Sequence, residues 1–158
     1  MGEHKNALLD LQKKLVEILK QDSKDKKLSH IYPENWATRH RPLTFDFVAN
    51  QNGKEIFIDI IGCDDWRQLI GKAVCYSYEI KKRKTNNYEI WILTNFMTWG
   101  KIQKMAGDPE KQQKEIESWK RWFGILKDIL NEMIGKDFSD KIFFKHYKQE
   151  SNLIEEII

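Results

Sequence analysis

Two aspartates occupy positions that a β-hairpin would bring face to face. Residues 43–49 and 55–61 are apolar and β-branched runs joined through Asn52-Gly53, which is the strongest short-range signal for a hairpin. With Asn52-Gly53 as a two-residue type I′ turn, the register sets Asp46 directly opposite Asp59. Because side chains alternate along a strand, both carboxylates then lie on the same face of the sheet.

Two like charges facing each other across an apolar hairpin destabilise it, so the pair needs an explanation. One carboxyl group could be protonated, both could face water on a half-exposed hairpin, or a divalent cation could lie between them. Paired carboxylates suit Mg²⁺ or Mn²⁺, which are also coordinated by water and by phosphate oxygens. A metal site at Asp46 and Asp59 is therefore one of three interpretations of this hairpin.

Further elements are predicted on both sides of the hairpin. The spacing of leucines predicts an amphipathic helix near the N-terminus, and Asp64 or Asp65 is a candidate helix cap. Asp108-Pro109 marks the start of a long helix with a stripe from Ile116 to Met133. The predicted helices cover residues 5–21, 65–82, 98–106 and 108–134, and the predicted strands cover residues 28–36, 43–49, 55–61, 88–95 and 141–147.

This order predicts an α/β fold, a three-layer-like sandwich in which a central mixed sheet is flanked by helices. The chain of 158 residues is expected to form a single domain, with a core over about residues 5–106 and a C-terminal helical extension over about 108–158. Hydrophobic residues make up 41% and aromatic residues 12% of the chain, which excludes a disordered protein. The net charge of +3 excludes a polybasic protein and permits nucleic-acid binding.

Several classes of site and location are also excluded or favoured by residue type. Cys63 and Cys75 form no CxxC pair, and the histidines lack metal-ligand spacing, so neither a zinc site nor a disulfide framework is expected. No signal peptide and no membrane span is predicted. The expected location is the cytoplasm, that of the host if the protein is viral.

The stretches RPLTFDFVA, NGKEIFIDI and WRQLIGKAVCYSY, within about residues 41–79, resemble the PD-(D/E)XK nuclease superfamily, the fold of type II restriction enzymes. The resemblance implies a restriction-endonuclease-like core with the order αβββαβ. It also implies that Asp46, Asp59 and the backbone carbonyl of Ile60 hold Mg²⁺ or Mn²⁺, and that the substrate is DNA.

The sequence departs from the family pattern at two positions. Phe45 rather than proline precedes Asp46, and Ile61 stands where the family has a lysine that stabilises charge on the phosphate. Some family members supply this lysine from the following helix, where the exonuclease branch has a QxxxY motif. Lys72 and Tyr76 stand at that spacing, so Lys72 is the candidate catalytic lysine; the alternative is a solvated lysine. Tyr76 is expected to pack with its hydroxyl in water or to contact nucleic acid.

The remaining candidates are polar residues near these motifs, and each has a plain alternative. Glu34 is a candidate additional acid, whereas helical geometry turns Glu17 toward solvent. Arg39, His40 and Arg41 are either nucleic-acid contacts or part of a polar loop. Lys82 and Arg83 are either nucleic-acid contacts or the charged end of a helix. Core packing, a dimer surface or base stacking would each explain the cluster of Trp119, Trp122 and Phe123.

The residues and the resemblance together lead to three hypotheses. The first is a metal-dependent nuclease that hydrolyses DNA phosphodiester bonds, for which a homodimer would help to reach two strands. The second is a catalytically inactive protein of the same fold that serves as a nucleic-acid-binding or protein-interaction module, which Ile61 favours. The third is an interaction protein of a virus or mobile element without a nucleic-acid role.

Overall fold

A computed structural model describes residues 13, 14, 17, 29–33, 45–61, 66–94, 107–148 and 153–156. The elements in these ranges, in chain order, are β1 (Ser29–Pro33), β2 (Phe47–Gln51), β3 (Lys54–Ile61), α1 (Trp66–Arg83), β4 (Tyr88–Thr94), α2 (Pro109–Met133), α3 (Lys136–Ser139), β5 (Ile142–Lys148) and β6 (Leu153–Glu156). Among the described residues, no helix has the length and apolar character that a membrane-spanning helix requires.

The strands form one six-stranded mixed sheet in the order β1-β2-β3-β4-β5-β6. Strand β3 is parallel to β4 and β4 is parallel to β5, whereas the other neighbouring pairs are antiparallel. The two parallel connections contain α1 and α2. Both step in the same direction across the sheet, so right-handed crossovers put both helices on the same face. The prediction of a mixed α/β fold is confirmed.

The β2–β3 hairpin closes at Asn52-Gly53, as predicted. Both turn residues have positive φ, 51° and 84°, which is the type I′ geometry. The side chain of Asn50 supports the turn, because its Oδ1 accepts a hydrogen bond of 2.9 Å from the Gly53 amide. Gln51 pairs with Lys54 and the ladder continues to the pair of Phe47 and Ile58. The predicted register is therefore correct over the whole length of the ladder.

The main core lies between the sheet and the helices α1 and α2. From the sheet it receives the alternate residues that face the helices, including Phe57, Ile90 and Phe144. The rings of Phe123 on α2 and Phe144 on β5 stack at 4.0 Å between centroids, 8° from parallel. The helices contribute Leu69, Ala73, Tyr76, Ile80, Phe123, Leu126 and Leu130.

The opposite face of the sheet is also buried, as the exposures of Ile56 (0%), Ile58 (0%) and Leu93 (1%) demonstrate. This explains why strands β3 and β4 are nearly continuous apolar runs rather than alternating ones. The predicted helices over residues 5–21 and 98–106 and the cap at Asp64 or Asp65 lie outside the described residues. Lys13, Lys14 and Glu17 are the exception: they are helical and exposed, as expected for Glu17.

The C-terminal segment differs from the predicted helical extension. Helix α2 starts at Pro109 with Asp108 as its cap, as predicted, and the Asp108 side chain accepts from the Lys111 amide. Two strands follow it: β5, which confirms the strand predicted over residues 141–147, pairs with β4 of the main sheet, and β6 pairs with β5. The segment after residue 108 therefore builds part of the sheet itself. Met133 is 64% exposed and does not belong to the buried stripe, because it is the last helical residue before the chain turns at Gly135.

Candidate functional site

Asp59 is a buried carboxylate near the C-terminal end of β3, on the face of the sheet that α1 covers. Its exposure is 6% in a stretch of strand that is otherwise apolar. The Tyr76 hydroxyl donates a hydrogen bond to Oδ2 of Asp59, and Nζ of Lys72 lies 3.2 Å from the same oxygen. From the described residues, Oδ1 receives no hydrogen bond. Within the described part of the chain, Asp59 thus has one oxygen bound by the helix and a second oxygen that accepts no hydrogen bond.

Helix α1 positions both donors because Lys72 and Tyr76 are four residues apart, one turn along the same side of the helix. Tyr76 is 5% exposed, whereas the Lys72 side chain is 45% exposed. Burial, the charges of Asp59 and Asp46, and the hydrogen bond to Asp59 raise the pKa of the Tyr76 hydroxyl far above its usual value. Tyr76 is therefore a neutral hydrogen-bond donor at any physiological pH, and its hydroxyl is not in water, contrary to expectation.

Asp46 lies next to this site, in a bend immediately before β2. The hairpin ladder ends at Phe47 and Ile58, one residue short of the predicted pair, so Asp46 and Asp59 are not ladder partners. Asp46 nevertheless lies near enough to Tyr76 for its charge to contribute to the raised pKa of the Tyr76 hydroxyl. It is partly exposed, unlike Asp59. Asp46 and Asp59 thus both lie near the Tyr76 hydroxyl, and Asp46 is the more exposed of the two.

The bend at Asp46 has a packing cause in Phe45, which is 1% exposed. The Phe45 ring lies 4.8 Å from the rings of both Phe57 and Tyr76, centroid to centroid. This position takes Phe45 into the core beneath α1 and holds the chain next to the Tyr76–Asp59 pair. Phe45, which stands where the nuclease family has proline, is thus held immediately before Asp46 by its buried ring.

Arg83 is a packing residue rather than an open cation. Its guanidinium lies 5.5 Å from the Phe45 ring centroid and 5.2 Å from that of Phe57. Its Nε donates to Glu79 at 3.0 Å, and Glu79 is only 7% exposed. The contacts occupy the guanidinium that was a candidate nucleic-acid contact, whereas Lys82 is exposed at the surface. The pair of Glu79 and Arg83 was not predicted, although their i, i+4 spacing on a helix is a signal that could have indicated it.

The donor set around Asp59 is compatible with a hard divalent cation. No group of three His, Cys, Asp or Glu side chains suited to a metal occurs among the described residues. The groups that would coordinate such an ion are Oδ1 of Asp59, the carboxylate of Asp46 and, as the resemblance implies, the backbone carbonyl of Ile60. Mg²⁺ is commonly held by one or two carboxylates together with water and substrate phosphate. Among the described residues, Lys72 is the cation paired with Asp59, and a divalent cation would supply further positive charge beside the two aspartates.

Four of the sequence candidates lie outside the described residues, and a second polar cluster lies elsewhere. The candidates outside are Glu34, Arg39, His40 and Arg41. On the other face of the sheet, Glu89 accepts hydrogen bonds from Lys54 and from Nε1 of Trp91. Burial acts to raise the pKa of Glu89, but these bonds outweigh it and the pKa lies below its usual value. Lys145 lies 3.8 Å over the Trp91 ring centroid. The charged groups of this cluster thus contact one another or an aromatic ring within the cluster.

Comparison of the chain with protein-family models, with curated proteins and with solved structures gives no match. The side-chain geometry around Asp59 is therefore the basis for inferring function.

Proposed function

We propose that the protein is a metal-dependent nuclease that hydrolyses phosphodiester bonds of DNA at Asp46 and Asp59. The observation that carries this proposal is the convergence of Lys72 and Tyr76 on one oxygen of buried Asp59. A carboxylate held in this way keeps its second oxygen in a fixed direction, which is what a metal ligand needs. The mixed sheet with its β2–β3 hairpin and following helix supports a restriction-endonuclease-like core.

Each residue has a separate role in the proposed reaction. Asp46, Asp59 and the carbonyl of Ile60 would hold Mg²⁺ or Mn²⁺, which when bound activates water and balances charge on the phosphate. Tyr76 remains neutral and fixes Asp59. Lys72 contacts Asp59 from the solvent side, so its ammonium can also contact a phosphate oxygen where charge develops.

The main argument against an active enzyme is Ile61 at the family's lysine position. Lys72 would supply the positive charge that is absent there. The ammonium of Lys72 lies 3.2 Å from Asp59 although it comes from α1 rather than from β3. This ion pair with a buried carboxylate distinguishes Lys72 from a lysine that is only solvated. Its 45% exposure leaves it accessible to a substrate.

Cleavage of plasmid and linear DNA in Mg²⁺, Mn²⁺ or EDTA tests this function. We expect metal-dependent cleavage that falls by more than about 100-fold in Asp59→Asn, Asp46→Asn and Lys72→Gln, because each removes a ligand or charge at the site. Asp140→Asn and Lys136→Gln are matched controls, since this exposed pair lies on α3 and its cap and should leave cleavage unchanged.

Direct metal binding separates the roles of these residues. Titration with Mn²⁺, followed by electron paramagnetic resonance, should show weaker binding in Asp46→Asn, which is partly exposed and should fold normally. Lys72→Gln should bind Mn²⁺ at least as tightly as the unmodified chain, because it removes a positive charge. Cleavage that survives in both aspartate variants would contradict the site. Salt-dependent DNA binding without metal-dependent cleavage would instead support the inactive alternative.

A further inference from the structure

The outward side of α1 carries an aromatic ring and a set of lysines. Tyr78 is 57% exposed, and Nζ of Lys82 lies 5.0 Å from its ring centroid. Lys81 is also exposed. The single acidic residue in the α1 sequence is Glu79, which is 7% exposed and bonded to Arg83. This side of the helix therefore presents positive charge with no exposed carboxylate of its own.

This surface lies on the same helix as Lys72 but on a different side, with Lys82 about 80° and Tyr78 about 120° around the helix from Lys72. At 1.5 Å of rise per residue, Tyr78 lies about 9 Å and Lys82 about 15 Å from Lys72 along the helix axis. Tyr78 and Lys82 differ by only about 40° around the helix, so they share one side. Gly71 is exposed on the same side, with open space where a side chain would be. A strand bound at Asp59 can therefore reach this side of the helix by passing from Lys72 to Lys82.

We propose that this α1 outer face, formed by Tyr78, Lys81 and Lys82, binds single-stranded DNA, with a base stacked on Tyr78 and phosphates at the two lysines. The inference rests on the proposed function and gives its substrate class. Proteins that bind single strands combine a positive track with aromatic rings on which bases stack. In a duplex the bases are stacked on one another, so the Tyr78 ring offers a duplex little.

A second exposed aromatic on a helix of the described residues, Trp122 of α2, is a weaker candidate for this role. It is 43% exposed, but the same helix exposes Glu117, Asp128 and Glu132 among its basic residues. Mixed charge of this kind does not attract a phosphate backbone as a single-sign face does. Trp122 therefore supplies a matched aromatic control on a different helix.

Fluorescence anisotropy with a labelled single-stranded oligonucleotide and with a duplex of the same sequence, both in EDTA, tests the surface without cleavage. We expect tighter binding of the single strand. Tyr78→Ala should weaken that binding roughly ten-fold, and Tyr78→Phe should preserve it because the ring remains. Each of Lys81→Gln and Lys82→Gln should reduce the slope of log affinity against log salt by about 0.7. Trp122→Ala and Lys120→Gln should behave like the unmodified chain.

The results separate this inference from the proposed function. Loss of single-strand binding in Tyr78→Ala, without metal-dependent cleavage by any variant, would support the surface and contradict the nuclease. Metal-dependent cleavage that requires Asp59, with Tyr78→Ala binding and cutting normally, would support the nuclease and overturn the surface. A preference for duplex, no binding of the single strand, or a larger loss in Trp122→Ala than in Tyr78→Ala would also overturn it.

Discussion

Asp59, Lys72 and Tyr76 form the smallest unit from which the proposed chemistry can be understood. Lys72 was predictable because helix spacing alone puts it on the side of α1 that faces the strands. The bond from Tyr76 to Asp59 was not, because it depends on how deeply the helix packs against β3. The position of Asp46 was not predictable either. The hairpin register placed it opposite Asp59, but the chain bends at Asp46 because Phe45 is buried. Local rules give sequence neighbours, whereas these contacts depend on tertiary packing.

Replacing Tyr76 with phenylalanine should change both stability and its dependence on alkaline pH. At neutral pH we expect Tyr76→Phe to lower the free energy of unfolding by about 1.5–3 kcal/mol, because a hydrogen bond to a charged, buried group is lost. Since folding raises the pKa of Tyr76, the unfolded chain releases this proton above about pH 10 while the folded chain keeps it. The stability of the unmodified chain should therefore fall above that pH.

Denaturant unfolding from about pH 8 to about pH 11 checks this prediction. The decline in Tyr76→Phe should be shallower by up to about 1.4 kcal/mol per pH unit. Some decline should remain, because burial, and then the charge of Asp137, also raise the pKa of Tyr88. Identical alkaline slopes in the two proteins would contradict a Tyr76 hydroxyl that is buried against Asp59.

At the scale of elements, the hairpin and the two long helices were well predicted because their signals are local. Asn52-Gly53 requires positive φ at both residues, and Asp108-Pro109 provides a cap and a first helical residue. The exposed end of α2 and the buried pair of Glu79 and Arg83 were not predicted. Each depends on which side of the helix meets the sheet after the chain has folded.

Two glycines provide a test of how strongly the turn fixes this hairpin. Gly53 has φ of 84°, so Gly53→Ala should lower the free energy of unfolding by about 1–2 kcal/mol through backbone strain alone. Gly71 is exposed within α1, and Gly71→Ala should raise it by about 0.5–1 kcal/mol. Thermal or denaturant unfolding measures both. Equal effects of the two substitutions would argue against the type I′ turn.

For the whole molecule, the sequence indicated the class of fold but not the part played by the C-terminal segment. Strand β5 lies beside β4, and Phe123 of α2 stacks on Phe144 of β5 within the main core. A single sequence does not reveal which strands are neighbours, because that depends on how the crossovers pack. The segment that was expected as a helical addition therefore shares its core with the hairpin and α1.

A shared core predicts one cooperative unfolding transition. Phe123→Ala, in the C-terminal segment, and Phe57→Ala, in β3, should each lower the free energy of unfolding by about 3–5 kcal/mol. Far-ultraviolet circular dichroism and tryptophan fluorescence should give coincident transitions in every variant that folds. Phe123→Leu and Phe57→Leu provide milder versions if the alanine variants do not fold. Two separate transitions, only one of them sensitive to Phe123, would indicate independent units.

Among the described residues, both side chains that bond to Asp59 belong to one helix, and this has a consequence for how the site forms. Because Lys72 and Tyr76 are rigidly connected through α1, a slide of the helix along β3 would withdraw ammonium and phenol together. A lysine on β3 itself, at Ile61, would instead travel with the carboxylate. The position of α1 therefore determines whether Asp59 has both of these contacts or neither. We expect the two contacts to form and break together.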